Sequence, residues 1–361
     1  MTQTARPSDP DFYPTEFDIR SRGHGLVMRG WDFTRTQLAT AAKDRLMLNV
    51  AFELGRNVCS LNCPGCFTED ASSQNRKHPR TSEMSVEARL RLIDATAELG
   101  TKTVNFVGAG EPTLDPNFYD LVERIGARGM RPVIFTEGSR LTCTHYVSDL
   151  KALGTTVVIK VHSLRNRDYQ NAAVGRTGVW LYGRDYFDLR GLAIQNLLAA
   201  GFTNDDPTRL AFDIIAGRGN LNELTDLHRW CRVHNIMPII ITSIPIGRGT
   251  ITTSDSLTVE QTTALTAELS RIDREEFGIE HRNIFPYGGG VPCTIRGFGV
   301  YVKIDGQVTV CPGNDEVIGN VMAEPLADIW TRAKARNEVF TGRCPPRENT
   351  ADTRRHLPIH R

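Results

Sequence analysis

The sequence predicts an α/β fold: a partial (β/α)6 TIM barrel of parallel strands, followed by a small C-terminal module made of a β-hairpin and a helix. Three observations carry this. Short β-rich runs alternate with amphipathic stretches through the middle of the chain, glycines stop several of those stretches, and past residue 290 the alternation gives way to a short hairpin pattern. Alternation of this kind builds right-handed βαβ units, and six repeats in roughly 200 residues suit a barrel better than a sandwich.

Strands are expected at 46–54, 103–107, 132–136, 155–162, 209–215 and 237–244, with helices at 86–99, 119–127, 189–200 and 221–234. Gly100 and Gly201 follow two of these helices, where a C-cap favours a left-handed residue. Residues 1–45 form an N-terminal extension with no readable role, 46–250 the barrel, and 251–290 a connector with one helix at 258–277. Residues 291–345 form the C-terminal module, with β-pattern at 300–304 and 308–310 and a helix at 326–334; 346–361 read as a tail.

The chain has 361 residues, 40% hydrophobic and 24% charged, with a formal net charge of +1. That balance suits a globular protein and gives no electrostatic footprint for nucleic acid or anionic lipid. No apolar run reaches a membrane-spanning length and the first residues lack a signal-peptide core, so a reducing cytoplasm is the expected compartment. There, eight cysteines read as metal or redox ligands rather than disulfides.

Strand alternation sorts side chains by face. In residues 157–163, Val157, Ile159 and Val161 form one apolar set for the helix layer, which sends Lys160 and His162 into the lumen. The same logic turns Asn49, Glu53, Asn105 and Asp213 inward. Such a lumen can hold a polar, hydroxylated or amino-bearing small molecule, with Lys160, His162, Glu53 or Asp213 as general base. The alternative is that these groups satisfy one another in a structural network.

Cys59, Cys63 and Cys66 stand on one tight loop after the first strand, with Pro64 and Gly65 to turn it. Four thiolates close a cubane iron–sulfur cluster for electron transfer, whereas three leave one iron open for chemistry. Zinc is the weaker reading, because a second cysteine knuckle is missing nearby. The next strand ends in Gly108-Ala109-Gly110-Glu111-Pro112, glycines that admit a ligand to the backbone and a carboxylate suited to an ammonium group. A second triplet, Cys293, Cys311 and Cys344, lies near the other end. Cys231 sits mid-helix as a core residue, and Cys143 follows the third strand as a candidate ligand or hydrogen-donating thiol.

On these residues the sequence resembles the radical S-adenosylmethionine (SAM) enzymes. Their cysteine signature matches Cys59, Cys63 and Cys66, and their Gly-Gly-Glu motif matches residues 108–112. Thr136-Glu137-Gly138 stands at the family's Thr-Asn-Gly position, Ser163 and Arg176 at its ribose and carboxylate contacts, and residues 245–249 resemble the end of its sixth strand. The family often has an aromatic residue before the third cysteine; this chain has Gly65, leaving Phe67 as the nearest candidate to stack on adenine. The resemblance implies that the open iron chelates SAM, that Glu111 holds its amine, and that one-electron reduction yields a 5′-deoxyadenosyl radical. Cys293, Gly306, Cys311 and Cys344, with residues 319–330, resemble the auxiliary-cluster modules called SPASM or twitch domains, the single-cluster twitch form fitting better.

The resemblance therefore implies two [4Fe–4S] clusters and an electron donor such as flavodoxin or ferredoxin. It points to a dehydrogenase that oxidises an alcohol to a ketone on a sugar, aminocyclitol or nucleoside in antibiotic biosynthesis, with the auxiliary cluster as electron acceptor. A redox-neutral decarboxylase or epimerase shares every motif. So does a peptide maturase, for which residues 1–45 are too short to form a winged recognition domain. The non-enzyme alternative is an iron–sulfur electron carrier.

Overall fold

A computed structural model of the protein describes residues 24–54, 59–67, 83–108, 110–243, 246–250, 255–279, 298–314 and 316–335. Its frame is one nine-stranded sheet. Strands β1 (Asn49–Phe52), β2 (Thr103–Phe106), β3 (Arg131–Thr136), β4 (Thr156–Lys160), β5 (Leu210–Ala216) and β6 (Met237–Thr242) pair in parallel, each with the next. This is the partial barrel expected, with all six strands where the β-rich runs stand.

The C-terminal module continues the same sheet. β7 (Gly299–Val302) pairs in parallel with the free edge of β1, and β8 (Gln307–Thr309) and β9 (Val317–Asn320) follow antiparallel. The sequence predicts the β7–β8 hairpin but neither β9 nor the junction with β1, whose partner lies some 250 residues away. At that junction a Cβ on Gly299 would meet the Asn49 carbonyl oxygen at 2.3 Å, so only glycine lets the two strands close.

The helices are α1 (Arg35–Asp44), α2 (Val86–Glu98), α3 (Phe118–Ala127), α4 (Thr144–Ala152), α5 (Arg167–Ala173), α6 (Tyr186–Ala199), α7 (Leu224–Val233), α8 (Val259–Phe277) and α9 (Leu326–Ala335). Ser85, Asp185 and Thr258 cap the N-termini of α2, α6 and α8 through their side chains. Gly100 and Gly201, after α2 and α6, have φ of +83° and +75°, as the cap reading requires. Outward residues of the parallel strands, among them Phe52, Phe106, Val157, Ile159 and Ile214, form the main core with Ile93, Ile125 and Leu197 of the helices. No helix among the described residues is long and apolar enough to cross a membrane.

Residues 24–45, for which the sequence gives no role, close the lower end of the barrel. Met28, fully buried, packs inside against Val133, Val158, Ala211, Met237 and Ile239. The strand starts hold this plug: Arg29 N–H donates to Thr208 O at 2.8 Å, Thr156 Oγ1 to Arg29 O at 2.8 Å, and Thr103 Oγ1 to Gly30 O at 2.5 Å. Asn105 accepts from Trp31 Nε1 at 2.8 Å and donates to Val50 O at 3.2 Å. The lower half of the lumen is therefore filled, and Asn105 is part of the plug rather than a ligand-facing group. Arg232 on α7 ties the plug to α8, donating to Gly25 O at 2.7 Å and, through two nitrogens, to the buried Asp273 at 2.8 and 2.7 Å.

Met28→Ala removes a fully enclosed side chain and leaves a cavity between plug and strands. It is expected to cost about 2–4 kcal/mol of stability, read as a lower midpoint in chemical denaturation with an unchanged slope.

Candidate functional site

The cysteine loop follows β1 at the upper, C-terminal end of the barrel. Cys66 N–H donates to Cys63 O at 3.2 Å across the Pro64-Gly65 turn, which folds the triplet back on itself. Three contacts from other segments pin it. Asn62 N–H donates to Val174 O at 3.1 Å, Arg176 Nε to Ser60 O at 2.5 Å, and Arg248 N–H to Cys66 O at 2.9 Å. Gly175 has φ +64°, and a Cβ there would lie 2.0 Å from Asn62 O. Only glycine allows that approach. Burial raises the pKa of the Cys59 and Cys63 thiols, so this loop favours thiolates only when a strongly electrophilic centre offsets their charge.

Among the described residues no three His, Cys, Asp or Glu side chains converge as ligands of a single metal ion. Sulfurs at the corners of a cubane stand farther apart than those around one ion, so three partly buried cysteines on a tight loop fit a cluster donor set. Of the second triplet, Cys311 ends the β7–β8 hairpin, packed partly against the core. Cys293 and Cys344 lie outside the described residues. Cys143 is exposed at the N-cap of α4, and Cys231 is buried in the core as expected.

The Glu111 carboxylate accepts four hydrogen bonds. One carboxylate oxygen accepts from Thr113 N–H (3.1 Å), Thr113 Oγ1 (2.7 Å) and Thr136 Oγ1 (2.6 Å), and the other from Glu137 N–H at 2.7 Å. Burial raises its pKa against these hydrogen bonds. The second oxygen keeps lone-pair capacity for an incoming ammonium. Gly108 (φ +78°) turns the chain out of β2 toward it, and Gly110 is half-buried just before it. Thr136 thus acts by orienting Glu111. Glu137, quoted from the sequence only as a motif residue, is a second buried carboxyl beside it. Burial first and the Glu111 charge second push its pKa up to about 7.

Ser163 is buried with its hydroxyl on Glu223, and it accepts from Asn166 N–H at 2.7 Å. Arg190 of α6 donates to Ser163 O at 2.7 Å; burial brings its pKa down to about 10. Neither Glu223 nor Arg190 carries a local sequence signal. Phe67 is half-buried at the end of the cysteine loop.

The four inward-facing base candidates separate clearly. Glu53 is buried with both oxygens used, by Tyr301 OH at 2.7 Å and Ile304 N–H at 2.9 Å, so it fastens β7 to β1. Tyr301 also donates to Val107 O at 3.2 Å, within electrostatic reach of both Cys66 and Cys311. His162 is buried and neutral, its pKa drawn down to about 3 by burial and by Lys160, and its Nδ1 accepts from Ile215 N–H at 3.1 Å. Lys160 pairs with Asp213 at 3.2 Å. Burial opposes its charge, but Asp213 and the nearby cysteines outweigh that and raise its pKa, so it is a cation and not a base. Asp213, on the adjacent strand, is the carboxylate left facing the mouth.

Residues 56–231 match the Radical SAM superfamily, and residues 283–354 match an iron–sulfur cluster-binding domain, SPASM. The two ranges together span more than half of the chain. The chain is 23% identical over 330 residues to the AdoMet-dependent heme synthase of Nitratidesulfovibrio vulgaris (strain Hildenborough), covering 83% of this chain and 84% of that protein. It is 27% identical over 189 residues to the S-adenosylmethionine-dependent nucleotide dehydratase of Flammeovirga pacifica, covering 50% and 60%. In fold it is similar to anSMEcpe with bound AdoMet, with TM-score 0.61, 16% identity, and 85% and 92% of the two chains covered.

Two measurements test the site. Cys63→Ala should lower reconstituted iron from about eight to about four atoms per chain, since the C-terminal ligands are untouched. In the metal-free protein, Glu137 stays protonated where the unfolded chain, at its ordinary value near 4.5, is already ionised. The fold then binds the extra proton, so stability falls as pH rises from 4.5 to about 7. Glu137→Gln should flatten that decline, by on the order of 1–3 kcal/mol at pH 7, in denaturation at stepped pH.

Proposed function

Because the chain belongs to the radical SAM superfamily and carries a SPASM-type iron–sulfur module, we propose that it dehydrogenates a small polar substrate, oxidising an alcohol to a ketone on a sugar, aminocyclitol or nucleoside. The observation that carries this reading is the Lys160–Asp213 pair, 3.2 Å apart at the mouth of the barrel and beside Cys63 and Cys66. When bound, the cluster on Cys59, Cys63 and Cys66 supplies the electron that cleaves SAM to a 5′-deoxyadenosyl radical, and the C-terminal cluster supplies an acceptor for the electron left on the substrate.

The chain's own residues do the rest. Glu111, fixed by Thr113, Thr136 and the Glu137 backbone, holds the SAM amine. Gly108 and Gly110 let the methionine approach the backbone, while Ser163, its hydroxyl on Glu223, and Arg176, on Ser60 O of the cysteine loop, stand at the positions that the resemblance gives to the ribose and carboxylate contacts. Phe67 is the aromatic nearest the cysteines for adenine. Asp213 accepts the substrate hydroxyl proton, and the Lys160 ammonium stabilises the oxygen on which charge develops. The apolar plug below them excludes water from that end of the lumen. Tyr301 and Glu53 keep β7 against β1, with Tyr301 within electrostatic reach of both Cys66 and Cys311.

The test is anaerobic incubation with dithionite, SAM and candidate aminoglycosides or nucleosides. The expected outcome is 5′-deoxyadenosine together with a product two hydrogens lighter. Asp213→Asn should cut that product about 10²-fold or more while SAM cleavage persists. Loss of carbon dioxide, or inverted stereochemistry with unchanged mass in ordinary water and uptake of one deuterium in heavy water, would replace oxidation with a redox-neutral outcome. The exposed Cys143 thiol is the group that would donate hydrogen in the latter case.

A further inference from the structure

Each cleavage of SAM consumes an electron that has to come from outside the chain, and one exposed loop backs directly onto the cysteines that receive it. Residues 175–184 join α5 to α6. Within them Val179 and Tyr182 are 77% and 79% exposed, two of the most exposed large apolar side chains among the described residues. The tip is a formed structure. Trp180 N–H donates to Arg184 O at 2.8 Å and Arg184 N–H to Leu181 O at 3.0 Å, closing the turn. Gly175, Gly178 and Gly183 have positive φ, and so does Tyr182, at +52°. A bulky aromatic in the left-handed region costs energy, on the order of 1–3 kcal/mol, and here that conformation displays the ring to water rather than packing it.

Beneath the tip lies a single layer of side chains. Trp180 packs with Leu61, Val174 and Tyr186 in the cluster that also contacts Cys59 and Cys63. Arg176 stacks over the Trp180 ring at 5.6 Å and reaches Ser60 O in the cysteine loop. The charge is one-sided: residues 175–184 contain Arg176 and Arg184 and no acid. The neighbouring Asp185 is taken by Arg167 at 2.5 Å and Asn171 at 3.0 Å. Arg248, with Nη1 on Asn62 Oδ1 at 2.7 Å, adds a further cation at the rim. An apolar centre ringed by arginines, one layer above the redox ligands, has the anatomy of a transient interface for a partner of opposite charge.

We propose that the 175–184 tip is the docking surface of an acidic one-electron carrier protein that reduces the cluster on Cys59, Cys63 and Cys66; this rests on the radical SAM reading above. The carrier is oxidised by one electron, the cysteine-bound centre is reduced by one, and no covalent bond forms or breaks in the complex.

The test uses the reconstituted full chain with reduced flavodoxin or dithionite as reductant, following 5′-deoxyadenosine. Tyr182→Asn keeps a residue that tolerates the left-handed region, Val179→Ser removes the second apolar group, and Arg184→Glu reverses a charge. In combination they should raise the KM for flavodoxin ten-fold or more and leave the dithionite rate within two-fold. Raising ionic strength should weaken only the flavodoxin reaction. Unchanged flavodoxin kinetics overturn the proposal, as does an equal loss with both reductants, which would make the loop a support of the SAM site. Titration of oxidised flavodoxin against the protein reads the surface without turnover: binding lost in the triple variant supports it, and binding unaffected overturns it. If the unaltered protein forms no 5′-deoxyadenosine with dithionite, the functional reading fails while this titration still decides the surface.

Discussion

Strand β1 is hydrogen-bonded along both edges, to β2 on one side and β7 on the other, and the placement of nearly every other part follows from that pairing. The register sets Phe52 level with Phe106 and with Val302, which buries all three under the helices. Glu53, the next residue, then meets Tyr301 and Ile304. A slip of one residue would exchange the two faces, moving Phe52 into the lumen and Glu53 into the apolar layer. The cysteine loop leaves from the end of this strand, so its position is fixed by the same ladder.

The upper end of the barrel concentrates charge that the protein only partly balances. Glu111 and Glu137 are buried side by side, and burial raises the pKa of both, with the Glu111 charge adding to the shift at Glu137. Lys160 is offset by Asp213, whereas Arg190 rests against a backbone carbonyl. Buried like charges in a low-dielectric setting favour a cationic occupant, because its arrival stabilises groups that are otherwise expensive to ionise. The amino group of SAM has that character.

The barrel strands were legible because parallel strands buried on both faces read as apolar runs, and Gly100 and Gly201 mark helix ends whatever the tertiary context. The cysteine triplet and Glu111 stand out in the sequence because the motifs they match depend on spacing within a few residues. Glu53 and His162 were read as chemical groups, but their partners, Tyr301 and Ile304 for one and the Ile215 backbone for the other, are set by how distant segments align against β1 and β4, which the local strand pattern does not give. The plug at 24–33 escaped notice for a related reason. It works through backbone carbonyls and one methionine, and its contacts at Thr103, Thr156 and Thr208 are distant in sequence. Arg190, Glu223 and Tyr301 have no local pattern, while Glu137 did have a signal, a carboxylate where the resembling motif carries an amide.

The unbroken sheet also bears on how the molecule can move. Modules joined by linkers can rock apart to admit a ligand, but the part of this module that carries Cys311 is laced to β1 by a parallel ladder and anchored again where Trp330 Nε1 donates to Arg45 O at 2.6 Å. Opening it like a jaw would strip backbone hydrogen bonds from the strand that positions the cysteine loop. The spacing between the barrel and the Cys311 hairpin is thus an architectural constant, and any gating falls to the loops around the mouth.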